Sequence, residues 1–132
     1  ILGAQAGSSG YLNFEGQPEL LKNRVKDQKA NQYQSFNEAL IDLKNDRIDA
    51  LLIDRVYANY YLQSEGILSD YNVFSAGFES EAFAVGVRPA DKTLLAALNQ
   101  AFISLYQEGK FQEISQKWFG EDVATSQVKN QE

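Results

Sequence analysis

Small and apolar residues run from Ile1 to Ala6 and are cut off by Gly7-Ser8-Ser9-Gly10, after which the spacing becomes helical. That order predicts a strand, a tight turn and the start of a helix, with Ser9 as its N-cap. Residues 11–25 read as helical with an interruption at Gly16-Gln17-Pro18, and Pro18 suits the first turn of a second short helix over 19–24. A polar loop over 26–29 leads to a short strand over 30–34. Ser35 and Glu38 then have the spacing of a capping box, and Phe36, Ala39, Leu40 and Leu43 fall on one helical face. Residues 48–53 are short and mostly apolar, as a buried parallel strand requires; Asp54 stops them, and 56–63 return to helical character before Gly66. Two more strands are predicted over 71–75 and 82–87. Strands alternating with helices imply an α/β fold whose parallel sheet is covered on both faces. From Asp91 the pattern changes to two successive helices. Leu94, Leu98, Phe102 and Leu105 form an apolar stripe, Gly109 breaks it, and Gly120 ends the second helix, 111–119, through a left-handed cap. From Ala124 the chain is polar and aperiodic.

Composition narrows the chemistry. A length of 132 residues suits one domain with a real core, and a net charge of −6 argues against a nucleic acid or an anionic membrane as partner. There is no Cys and no His, which excludes disulfides, zinc held by sulfur or nitrogen, thiol nucleophiles and histidine acid/base catalysis. No apolar run approaches the ~20 residues that span a membrane. The chain opens without Met, directly inside a strand-like run, so a fragment of something longer is expected.

In open parallel sheets, small molecules bind in the crevice beyond the carboxyl ends of the strands. Two such ends are legible. Ser8 and Ser9 follow the first strand, and Asp54 follows the run 48–53. The first N–H groups of a helix lack partners inside it and lie at the positive end of its dipole, so they attract an anion. The Ser8 and Ser9 hydroxyls add donors there, and Gly7 lets the backbone approach a ligand closely. Asp54 offers a carboxylate to an ammonium group, or it caps the following helix; one oxygen can serve each role. Together the two ends suit a zwitterion such as a free amino acid, although an ordinary strand–turn–helix would give the same pattern. Gln5 is polar within an apolar strand end and faces either the crevice or solvent. Asp49 reads as having a structural partner. Tyr57, Tyr60, Tyr61, Trp118 and Phe119 read as packing, and Arg47, Arg55 and Arg88 as solvated. No carboxylate pair has acid/base spacing, so no catalytic residue, cofactor or metal is expected.

Four stretches carry a resemblance: GAQAGSSG, FNEALIDLKNDRIDALLID, EAFAVGVRPADKTLLAALNQAF and EGKFQEISQKWFG. In this order they resemble type II solute-binding proteins, and more narrowly the amino-acid-binding subunits of ABC importers. The resemblance implies two α/β lobes that close on ligand about hinge strands. Residues 1–88 would be the second lobe with the returning hinge strand at 82–88, and 89–120 helices that pack on the first lobe. Residues 121–132 would be a mobile tail. It further implies that Ser9 meets the ligand α-carboxylate, Asp54 the α-ammonium and Gln5 the side chain, with Gly7 giving close approach. Gly10 departs from members with a larger side chain there. The implied partners are a free polar amino acid and ABC permease subunits, outside the cytoplasm, in the periplasm or on a lipid anchor. The fragment alone would bind weakly, and its C-terminal helices would fold back or pair as a homodimer. A receptor sensor domain or a cyclohexadienyl dehydratase-like enzyme on the same fold stays open.

Overall fold

The computed structural model describes residues 1–129, which divide into two units. The first comprises Ile1–Ala58 with Asn72–Glu79, and the second Asn59–Tyr71 with the chain from Ser80 onward.

The first unit is built on a three-stranded parallel sheet of order β2-β1-β3, with β1 Leu2–Gln5, β2 Ala30–Tyr33 and β3 Ala50–Leu52. Helix α1, Ser9–Gly16, lies between β1 and β2, and α2, Phe36–Lys44, between β2 and β3. β1 is central and hydrogen-bonded on both edges, Leu2 opposite Ala30 on one side and Ala50 on the other. Being central, it reads as an unbroken run of buried residues rather than as an alternating one. Leu2, Ala4, Leu52 and the fully buried Phe14 of α1 form the core, with Leu21, Val25, Ala76 and Phe78 packed around them. Gly3 leaves room for a neighbour. A Cβ there would stand 2.6 Å from Cδ1 of the buried Ile48.

Three helices start the same way. Ser8 caps α1 by accepting from the Tyr11 N–H, Ser35 caps α2 by accepting from Glu38, and Asp54 caps α3, Arg55–Ser64, by accepting from Tyr57. The first cap corrects the sequence expectation by one position. Ser9 is already helical, because only the Ser8 hydroxyl reaches the amide three residues on. The expected second helix over 19–24 is reduced to 3₁₀ turns at Lys22–Arg24 and Lys26–Gln28. Neither turn has a side-chain cap, and so short a segment does not repay helix nucleation. Residues 71–75 and 82–87, expected as strands, are not strands. Apolar, β-prone residues become a strand only where a sheet edge supplies ladder partners, and among the described residues none pairs with them.

The second unit contains the later part of α3, then α4 Lys92–Gln107, α5 Lys110–Phe119 and α6 Ser126–Lys129. Gly109 and Gly120 are both left-handed, ending α4 and α5 where the sequence breaks. The α4–α5 corner is closed by Phe102 and Tyr106 against Phe111. The buried Ser115 hydroxyl donates to the Glu121 carbonyl at 2.7 Å and accepts from the Val123 N–H, holding the chain beyond Gly120. Asp122 accepts from the Tyr106 hydroxyl at 3.0 Å and pairs with Lys129, so the stretch expected as a tail carries a helical turn tied to α4. Residues 130–132, the end of that stretch, lie outside the described residues. Trp118, expected in the core, is 48% exposed and leans on Tyr60. Helix α4 has no buried residue; Leu94, Leu95 and Leu105 are exposed. Among the described residues no helix is long and apolar enough to cross a membrane.

Candidate functional site

The carboxyl ends of β1 and β3 lie side by side. Their parallel register pairs Ala4 with Leu52, so the turn after β1 and Asp54 after β3 emerge at one edge of the sheet. Packing holds them together there, since a Cβ on Gly10 of α1 would touch the Leu52 side chain at 3.5 Å.

In the turn, Gly7 has φ +71 with nothing near its missing side chain, so it serves the backbone conformation and leaves the turn open. The Ser8 hydroxyl donates to the Gln5 carbonyl at 2.9 Å and accepts from Tyr11 at 3.1 Å. Both of its roles are taken inside the turn, which makes Ser8 a brace rather than a ligand donor. The next two amides, of Ser9 and Gly10, have no acceptor among the described residues. They stand at the positive end of α1, beside the exposed Ser9 side chain. This is a donor pair for an anionic oxygen.

Asp54 uses one oxygen as a cap, Oδ1 accepting from Tyr57 at 2.8 Å, while Oδ2 has no partner among the described residues. Capping and ligand binding are therefore compatible in one carboxylate. Gln5, half-buried at the end of β1, donates from Nε2 to the Gln34 carbonyl at 3.1 Å. The Gln34 N–H in turn donates to Glu38 Oε2 at 3.2 Å. Sequence spacing marked Glu38 as a capping residue but gave no sign of Gln34, whose part depends on β1–β2 register. The Asp49 N–H donates to the Ile1 carbonyl at 2.9 Å.

At the same end of β2, the Tyr33 hydroxyl donates to Asp42 at 2.9 Å and Arg47 donates to the other Asp42 oxygen at 2.8 Å. Hydrogen bonding from Arg47, then from Tyr33, holds the Asp42 carboxyl below the usual carboxylate range. Burial, reinforced by Asp42, raises the Tyr33 hydroxyl. Tyr57 packs on Phe36 at 5.2 Å and donates to Asn37, in keeping with a packing role. No group of metal-ligating side chains occurs among the described residues.

The family described as "Bacterial extracellular solute-binding proteins, family 3" matches residues 19–121. "ABC transporter arginine-binding protein 1" of Escherichia coli is 30% identical over 113 residues, 83% of this chain and 46% of that protein. The crystal structure of a polar amino acid ABC uptake transporter substrate binding protein from Streptococcus thermophilus is similar, with a TM-score of 0.81 and 62% identity over 98% of this chain and 49% of that one. An ABC uptake transporter substrate binding protein from Streptococcus pneumoniae, solved with bound histidine, has a TM-score of 0.75 and 73% identity over 96% of this chain and 51% of its own. The chain spans about half the length of the relatives it matches.

Proposed function

Because this chain belongs to the bacterial extracellular solute-binding proteins, family 3, we propose that it forms part of an extracytoplasmic protein that captures a polar amino acid for ABC permease subunits. Residues 1–88 contribute the second lobe with its returning hinge segment, and 89–120 contribute helices that pack on the first lobe. Capture is reversible and involves no covalent step. The Ser9 and Gly10 amides receive the α-carboxylate, and the open oxygen of Asp54 receives the α-ammonium.

The observation that carries this reading is the β1–β3 register, which brings an anion-seeking helix start and a half-open carboxylate to one sheet edge. Each end of a zwitterion then finds its opposite. Such charge-assisted bonds contribute about 1.5–3 kcal/mol apiece, and more once water is excluded. The lone chain holds only some of them. The relatives named above, an arginine-binding protein and a structure with bound histidine, support an amino acid as ligand.

The test is Asp54→Asn in the full-length protein. Asparagine keeps the N-cap, so the melting temperature should stay within about 2 °C, while amino-acid affinity by calorimetry falls about tenfold or more. Unchanged affinity would remove Asp54 from the site.

A further inference from the structure

The outer edge of β2 lies apart from the crevice beyond β1 and β3, and it is paired on one side only. In an extended strand the N–H and C=O of one residue point to the same edge, and those of the next residue to the other. The Tyr33 carbonyl accepts from the Ala6 N–H, so Tyr33 and Asn31 face β1, and Ala30 and Gln32 turn their backbone groups outward. No ladder partner meets those groups among the described residues. Edge strands are commonly blunted by proline, by a charge within the strand or by a covering element. Ala30–Tyr33 contains neither proline nor charge, and Asn31 and Gln32 are exposed.

Against this edge lies a cleft of about 350 Å³, lined from α1 by Tyr11 and Glu15, from the connecting turns by Lys22 and Lys29, and from β2 by Ala30 and Gln32. The Gln32 side chain donates to the Tyr11 hydroxyl at 3.0 Å, which ties it to α1. Lys22 pairs with Glu15, so the one carboxylate in the lining is already matched. Lys29 is exposed and pairs with no carboxylate among the described residues. Charge here runs against that of the chain. Residues 22–29 carry Lys22, Arg24, Lys26 and Lys29 against the single Asp27, a local charge of +3 in a chain of −6.

We propose that the outer edge of β2 binds an extended, acidic segment of another protein by strand addition. The segment's backbone supplies the missing ladder bonds to Ala30 and Gln32, and a carboxylate side chain meets Lys29. A free edge alone would accept any extended chain, and the basic turns beside it select an acidic one. A basic cluster alone would accept any polyanion, and the outward N–H and C=O groups call for a polypeptide. A second copy of this chain fits less well, because its own β2 brings the same basic turns with it.

The experiment uses the full-length protein and three blocked, dye-labelled pentapeptides: one alternating valine and glutamate, its lysine counterpart, and the acidic peptide N-methylated on every backbone amide. N-methylation keeps the charge and blocks the ladder. Fluorescence anisotropy should give the acidic peptide millimolar affinity or tighter, at least about tenfold above the other two. The Ala30 and Gln32 amide signals should move most in heteronuclear NMR. Lys29→Glu should weaken the acidic peptide about tenfold, with a thermal melt reporting that the variant folds. Equal binding of the N-methylated peptide would reduce the contact to charge, and equal binding of the lysine peptide would leave the basic turns no part; either overturns the proposal. So does an absence of binding, and so does a dimer in light scattering whose β2 amides are protected, which would assign the edge to a second copy.

Discussion

Two glycines in the first seven residues do opposite jobs, and substitution separates them. Gly3 is needed for room: an added Cβ would meet Ile48 Cδ1 at 2.6 Å and Tyr33 Cε2 at 3.0 Å, and Ile48 is only 2% exposed. Gly3→Ala should therefore cost about 1–3 kcal/mol in urea denaturation, as overpacking does. A loss below about 0.5 kcal/mol would mean that Ile48 can turn aside. Gly7 has all the space it needs but a φ of +71. Gly7→Ala should cost about 1–2 kcal/mol through backbone strain alone, and Gly7→Asn less, because asparagine tolerates the left-handed region. Ser8 differs from both. Its hydroxyl bridges Gln5 and Tyr11, so Ser8→Ala should cost about 0.5–2 kcal/mol by loss of the cap.

At the scale of elements, the β2–α2 unit carries a pH dependence. Arg47 and Tyr33 lower the Asp42 carboxyl, so folding favours its ionised form. The stabilisation is complete above the unfolded carboxyl's titration near 4 and is lost as pH falls through the lower folded value. Asp42→Asn should flatten the acid limb of a stability–pH curve; an acid limb identical to wild type would dismiss the network. Hydrophobic spacing was enough to find β1, β2, β3, the Ser35-capped α2 and the Gly109 and Gly120 stops, because each depends on residues close in sequence. It failed at 71–75 and 82–87, where a strand depends on a partner elsewhere. It also missed the Ser8 cap by one residue, since two adjacent serines are equivalent until a hydroxyl reaches the Tyr11 amide. The same limit holds at the candidate site. Ser9 and Asp54 follow from the order of strand, turn and helix, whereas the Gln5–Gln34 bond depends on register across 29 residues.

For the whole molecule, the telling element is α4, sixteen residues with none buried and with Leu94, Leu95 and Leu105 exposed. A soluble protein seldom leaves so much apolar side chain uncovered. Amides of α4 should exchange with solvent markedly more slowly in the full-length protein than in residues 1–132 alone. Equal exchange would mean that the helix gains no cover from the rest of the chain. Calorimetry on the isolated chain should give no amino-acid binding tighter than about millimolar, roughly 4 kcal/mol, because half of the relatives' length is absent. Micromolar binding by a monomer, as judged by light scattering, would contradict the two-lobe reading.

The central seat of β1 has a practical consequence for anyone cutting or labelling this protein. Among the described residues β2 and β3 pair with no strand but this one, so a break within Leu2–Gln5 would leave both without a ladder partner. A reporter or cleavage site belongs instead near Gly66, whose left-handed turn has open space around it.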